Sequence, residues 1–351
     1  MKLYLHCGYH KTGSSFLQTL FSRNRDYLQS NGIHFPVASR EYDMVSGNIS
    51  PGNGPELAKA LKENDDQKSS ELIADYISEA NRNGCKSILI SSENFFHAFE
   101  NPNAVKILIN TAEENGIESI NALVYFRDPV SHALSTYKHR AKKGTLPDYP
   151  GWLETEYETM GLVERFMEYR TQQSIQWTCR KYMAGSEHMA KSAFADWLGV
   201  STPDIPEDDR VNTSLTLSEL LAIQSLNKSR PSLIPFVREA FAGLPGSEKA
   251  ADTDLTNRYS AIASGKLMAY RKLIDEANKL LPNNEKLTLT SSSAAADHTE
   301  QDNITLTKKQ VTAFVDGIEA GTKSDRVLHK SKAILTKVVD KVNRKVKTYL
   351  A

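Results

Sequence analysis

The first half of the chain alternates between two hydrophobic periods. Leu3-Tyr4-Leu5-His6-Cys7 is a short apolar run ending at Gly8, the pattern of a buried strand. From Ser14 to Gln29, Phe16, Leu17, Leu20, Phe21 and Leu28 recur at helical spacing, and Asn31-Gly32 stops them. Residues 32–36 predict a second short strand. Residues 37–54, rich in Ser, Gly, Asn and Pro, predict a long loop, and loops of that length are usually functional or disordered. Helices are predicted over 55–63 and 67–82, then a strand over 87–92 that leads into Glu93. A helix over 103–115 stops at Gly116, and residues 120–126 (INALVYF) are the strongest strand in the chain. Asp128-Pro129 predicts the N-cap and first turn of a helix over 129–141. Residues 174–182 alternate as a fifth strand, and a helix over 187–198 ends at Gly199.

Short apolar strands alternating with helices define an α/β protein with a mainly parallel central sheet flanked by helices. Such sheets bind ligands beyond the carboxyl ends of their strands, which directs attention to Gly8–Ser15, Ser91–Glu93 and Arg127–Ser135. After about residue 205 the pattern becomes helical, with the best candidates at 216–227, 255–281 and 308–320. The expected organisation is an α/β core over 1–205 and a helical extension over 206–285. A flexible linker over 286–303 and a C-terminal helical segment over 304–351 complete it.

Composition narrows the picture. Of 351 residues, 40% are hydrophobic, and Lys+Arg and Asp+Glu are 43 each, so a strongly basic nucleic-acid binder is excluded at whole-chain level. Charge is uneven, however. Lys323 to Ala351 holds nine Lys/Arg against two Asp/Glu, a net of +7 balanced by −7 elsewhere. Over 326–350, Ile334, Leu335, Val338, Val339, Val342 and Val346 share one helical face with Lys and Arg opposite. That face either caps a core, is solvated, or rests on an anionic membrane surface. No apolar run approaches the roughly 18 residues of a membrane span, and the N-terminus has no signal-peptide apolar region. Three scattered cysteines make neither a disulfide framework nor a zinc site. The expected location is the cytoplasm.

The segment Gly8-Tyr9-His10-Lys11-Thr12-Gly13-Ser14-Ser15 joins a strand to a helix. Unpaired N–H groups and the helix dipole make such a junction attractive to anions. Glycine permits close backbone approach. Lys11 supplies a full charge, and the hydroxyls of Thr12, Ser14 and Ser15 supply donors. The segment is not the nucleotide-triphosphate loop G-x-x-x-x-G-K-[ST], because Lys11 precedes Gly13 by two residues.

GYHKTGSSFLQ closely resembles the 5′-phosphosulfate loop of sulfotransferases that use 3′-phosphoadenosine 5′-phosphosulfate (PAPS), most of all the bacterial carbohydrate-type branch. The resemblance covers roughly residues 2–225. It implies a P-loop-like fold whose loop, His10 to Ser15, holds the phosphosulfate with PAPS as co-substrate and no metal. A second element, the strand LVYF followed by Arg127, Pro129 and Ser135, resembles the family's 3′-phosphate site. Arg127 would give a forked contact and Ser135 a hydroxyl. Softer resemblances are Phe194–Val200 and Arg210–Leu215. A later basic loop of the animal cytosolic members has no clear counterpart, with Lys142, Lys143 and Gly144 as nearby candidates.

The resemblance implies in-line sulfuryl transfer to an acceptor hydroxyl, with a glycan favoured. Lys11 would stabilise the leaving phosphate and a base would take the acceptor proton. Glu93, at a strand end, is the candidate base; as an alternative it is a carboxylate stabilised at a helix N-terminus. His97, four residues on, is the second candidate. Two other functions remain open: a P-loop kinase or NTPase, and a non-catalytic scaffold with a degenerate nucleotide cleft. The acceptor and the oligomeric state are not fixed by the sequence.

Overall fold

The computed structural model describes residues 1–46, 50–171, 174–183, 186–204, 215–289 and 304–324. In chain order the first elements are β1 (Lys2–Cys7), α1 (Ser14–Arg23), α2 (Arg25–Ser30), β2 (Ile33–His34), α3 (Glu41–Val45), α4 (Pro55–Lys62) and α5 (Asp66–Arg82). There follow β3 (Ser87–Ser92), α6 (Asn94–Ala98), α7 (Pro102–Glu114), β4 (Ser119–Phe126), α8 (Pro129–Ala141), α9 (Tyr149–Thr155), α10 (Thr159–Tyr169) and β5 (Ile175–Lys181). The rest are α11 (Ser186–Lys191), α12 (Leu217–Asn227), α13 (Ile234–Ala242), α14 (Thr253–Leu267), α15 (Arg271–Asn278) and α16 (Lys308–Ser324).

The five described strands form one sheet in the order β2-β3-β1-β4-β5, and every pairing among them is parallel. The protein is therefore α/β with helices on both sheet faces. On one face Tyr4 and His6 of β1, Leu89 of β3 and Leu123 and Tyr125 of β4 pack with Leu17, Leu20 and Phe21 of α1. On the other, Phe126 and Trp177 pack against Phe166 of α10, and Phe96 of α6 stacks on the same ring. Full burial of one such side chain contributes about 1.5–3 kcal/mol. Burial on both faces is why these strands read as nearly continuous apolar runs.

The chain leaves β1 toward β2 and β3 on one side, and leaves β4 toward β5 on the other. The two connections diverge above the gap between β1 and β4. That divergence is where open parallel sheets bind ligands.

Several elements differ from the sequence pattern. The helix expected over 14–29 breaks at Asn24, whose side-chain amide donates to the Leu20 carbonyl at 2.8 Å and competes with the helix ladder. The helix expected over 187–198 widens into a π-helical turn at Ser192–Leu198, closed by Gly199 at φ 73°. The helix expected over 255–281 divides into α14 and α15 around a tight turn at Met268–Tyr270.

The chain packs as two compact units, each assembled from separate stretches. The first is residues 1–129, 158–211 and 269–288; the second is 130–157, 212–268 and 289–351. The sequence division at 205 cuts across both. The second unit has an aromatic centre in which Tyr149 stacks on Tyr259 with centroids 4.5 Å apart and Tyr137 packs edge-on to Tyr149. Its α12 opens with a capping box between Thr216 and Glu219. The fully buried Glu219 carboxylate also receives Lys249 Nζ at 3.3 Å and Gln310 Nε2 at 2.9 Å. Residues 326–350 and Arg210–Ser214 lie outside the described residues. No described helix is long and apolar enough to cross a membrane.

Candidate functional site

The loop between β1 and α1 is tightly wound. Gly13, its last residue, is left-handed at φ 85°, and Lys11 is left-handed at φ 61°. A lysine held there costs on the order of 1 kcal/mol, so the surroundings must enforce it. Two bonds do so. The Thr12 hydroxyl donates to the Tyr9 carbonyl inside the loop, and Arg127 Nη1 donates to the Lys11 carbonyl at 3.0 Å. The loop is also stitched to the sheet, because Gly8 N–H extends the β1–β3 ladder to the Ser92 carbonyl at 3.1 Å.

The expected donors divide into two groups. Thr12 is buried and its hydroxyl braces the loop from within rather than facing outward. Ser14 is also buried, turned toward Glu93. Its hydroxyl has no partner of good hydrogen-bond geometry, yet lies close enough to favour the carboxylate's charged form. Lys11, His10 and Ser15 are half-buried. Gly8 is the point of closest approach: a Cβ there would stand 2.5 Å from Ser14 Oγ and 2.9 Å from Glu93 Cγ.

Glu93 leaves the carboxyl end of β3 and precedes the short helix α6. Burial pushes its carboxyl up from the ordinary range; the charge of Lys11, the Ser14 hydroxyl and His97 pull it back in part. His97 lies on α6, and its Nδ1 donates to Glu100 Oε1 at 3.1 Å, which leaves Nε2 as its other ring nitrogen. Arg165 Nη2 is 3.8 Å from the same Glu100 oxygen. The His97 ring stacks on His10 with centroids 6.1 Å apart and planes 19° apart. The structure thus brings Lys11, Ser14, Glu93, His10 and His97 to one sheet end.

Arg127 follows β4 directly. Besides its bond to Lys11, its guanidinium lies over the Tyr182 ring at 5.0 Å from the centroid. Asp128 Oδ2 pairs with Lys181 Nζ at 2.8 Å, and Asp128 Oδ1 accepts the Thr288 N–H at 2.7 Å. Ser135 is half-buried on α8, in the part of that helix that belongs to the second unit.

Three contributors have no sequence motif. Tyr182 directly follows β5, at a strand end of the kind the sheet topology singles out. Glu285, nearly fully buried, accepts the Lys181 N–H at 3.0 Å and lies 3.2 Å from Arg180 Nη2. Thr288 reaches Asp128. The opening residues of the expected linker are therefore fastened: Leu287 N–H donates to Asn278 Oδ1 at 2.7 Å, and Lys286 Nζ donates to the carbonyls of Asn278 and Leu281, each at 2.6 Å. Residues 290–303 lie outside the described residues.

Compared with known proteins, the chain matches no family model, no curated sequence and no solved structure.

Proposed function

We propose that the protein is a sulfotransferase that moves a sulfuryl group from PAPS to a hydroxyl acceptor, with a glycan as the favoured acceptor class. The observation that carries this reading is the Arg127–Lys11 bond across the β1–β4 gap. It joins the two segments that resemble the family's 5′-phosphosulfate and 3′-phosphate elements, at the place where the sheet topology favours a ligand.

In this reading the loop His10 to Ser15 is a P-loop-like phosphosulfate cradle. Lys11 and the loop N–H groups stabilise the negative charge that builds on the bridging oxygen of the leaving 3′,5′-bisphosphate. Arg127 gives the 3′-phosphate a forked, charge-assisted contact. Glu93 receives the proton of the acceptor hydroxyl as sulfur is attacked. Burial raises its affinity for protons, which suits that role, while the facing Lys11 and His97 favour its ionised form. His97, oriented by Glu100, is the second group able to take that proton.

The test needs no acceptor. Thermal stability is measured with 3′,5′-adenosine bisphosphate and, separately, with Mg-ATP. A specific ligand at 100 times its dissociation constant stabilises by about 2.7 kcal/mol. A shift with the bisphosphate is the expected result. A shift with Mg-ATP alone replaces this reading with a kinase or NTPase, and no shift with either leaves a scaffold.

A further inference from the structure

We propose that Asn53 is a positioning residue for Glu93: its amide takes the place of a strand along the outer edge of β3 and fixes the end from which Glu93 projects. The inference rests on the reading of Glu93 as the base.

The need for such a device follows from β2. It is two residues long and pairs only with Ser87 and Ile88 of β3. From Leu89 onward the outer edge of β3 has no neighbouring strand among the described residues, and exposed or unpaired edge groups in a sheet are costly. The segment Ser50-Pro51-Gly52-Asn53-Gly54, at the end of the long loop, supplies the partners instead. Asn53 Oδ1 accepts the Ser91 N–H at 2.7 Å, and Asn53 Nδ2 donates to the Leu89 carbonyl at 3.1 Å. The backbone N–H of Asn53 donates to the Ser91 carbonyl at 3.1 Å, and that of Gly54 does so at 3.3 Å. Asn53 Nδ2 also donates to the Pro36 carbonyl at 3.2 Å, tying the strand end to the chain that leaves β2. One residue further along, the Ser92 hydroxyl donates to the Pro51 carbonyl at 2.8 Å and accepts the Asn94 N–H at 3.2 Å.

The geometry admits few alternatives. Aspartate lacks the two donated bonds, and a shorter side chain cannot bridge Leu89 and Ser91. Asn53 is buried, so its bonds do not exchange freely with water. Gly52 before it is left-handed at φ 85°, and a Cβ there would stand 1.9 Å from the Ser91 carbonyl oxygen. The loop backbone therefore sits directly against the strand end, with no side chain between. Glu93 is the second residue beyond Ser91, and the bonds on Ser91 and Ser92 set where its Cα lies. The groups that face its carboxylate come from three other places: Lys11 on the loop, Ser14 on α1 and His97 on α6. A strand end free to swing would change all three distances together.

The experiment follows the Glu93 carboxyl carbon by NMR in glutamate-labelled full-length protein, with E93Q identifying the signal. The titration is recorded in wild type, N53A and S92A, beside the affinity of each for 3′,5′-adenosine bisphosphate. The expected result in N53A is a Glu93 midpoint that falls toward the ordinary carboxylate range as solvent reaches it. Bisphosphate affinity should fall by less than about tenfold, because the loop that holds the ligand keeps its own braces, the Thr12 and Arg127 bonds. S92A, which severs only the Pro51 bond and the Asn94 cap, should move the midpoint in the same direction by less, and it serves if N53A fails to fold. An unchanged midpoint in the folded variants overturns the proposal. So does a loss of bisphosphate affinity beyond about tenfold, which signals general loosening of the site. If wild type binds no bisphosphate, the transfer reading falls, while the titration still decides whether Asn53 holds Glu93.

Discussion

Arg127 and Lys11 are 116 residues apart in sequence, and a hydrogen bond of 3.0 Å joins the guanidinium of one to the carbonyl of the other. The bond gives Arg127 two tasks under the proposed function: it faces a phosphate and it holds the strained residue of the loop. Arg127→Ala should therefore weaken 3′,5′-adenosine bisphosphate by about 1.5–3 kcal/mol, the range for a bond to a charged group. Adenosine 5′-monophosphate, which lacks the 3′-phosphate, should lose clearly less. Calorimetric titration of both ligands checks this, and equal losses would remove Arg127 from the 3′-phosphate role.

Lys11→Ala keeps a residue with a Cβ at φ 61°, so the local backbone cost persists and the melting temperature should change little. Turnover of PAPS should fall by the loss of one preorganised donor, about 3–4 kcal/mol of barrier. Wild-type turnover would exclude Lys11 from charge stabilisation.

Glu93→Gln should abolish transfer and leave bisphosphate binding near normal. It also carries a stability signature. Burial raises the Glu93 carboxyl above its unfolded value, so the folded state favours the proton. That contribution is fully present below the unfolded carboxylate range and is lost as pH rises through the folded value. Wild type should lose stability across that rise relative to Glu93→Gln. Denaturant midpoints measured against pH for both proteins would show parallel curves if this is wrong.

His6 reports on the same sheet end with the opposite sign. It is buried beside Ser91, Nδ1 to Oγ 2.8 Å, and burial lowers its pKa from 6.5 to about 3. The folded protein keeps it neutral while the unfolded chain protonates it. Stability is therefore present above pH 6.5 and drains as pH falls toward 3, by up to about 1.4 kcal/mol per pH unit. His6→Gln should flatten that acid limb in a melting-temperature series, and an unchanged limb would assign it to other groups.

Gly8→Ala should destabilise the protein by about 1–3 kcal/mol, the usual range for overpacking. The added methyl meets Ser14 Oγ and Glu93 Cγ and also the Glu93 backbone, 3.0 Å from its Cα. Guanidinium unfolding measures the loss; a stable variant would mean the loop and β3 can separate at little cost.

The sheet was legible because its strands are buried on both faces. LYLHC, SILISS and INALVYF announce themselves without any partner in view. The residues at three strand ends, Lys11, Glu93 and Arg127, followed from that reading and a topological rule. What escaped depends on partners distant in the chain. Asn24 sits inside a helical pattern and breaks it through its own side chain. Asn53 is one polar residue in a polar loop until β2 proves too short to cover β3. Glu285 lies in a stretch of small and polar residues, and only the arrival of Arg180 and the Lys181 N–H explains its burial.

The first unit is discontinuous in sequence: residues 130–157 and 212–268, between its stretches, belong to the other unit, and its last stretch ends at Thr288. Arg180 and Lys181 leave the ribosome about a hundred residues before Glu285, and at the usual rate of synthesis that delay lasts about 5–20 seconds. During it the Arg180 guanidinium and the Lys181 N–H lack the buried Glu285 carboxylate, although Asp196 and Asp128 already stand beside the two side chains. The sheet end that holds Arg127 and Asp128 is thus completed late in biosynthesis. An expression fragment cut at 205, where the sequence first suggested a boundary, would contain the five described strands and lack Glu285 and Thr288, which bond their ends.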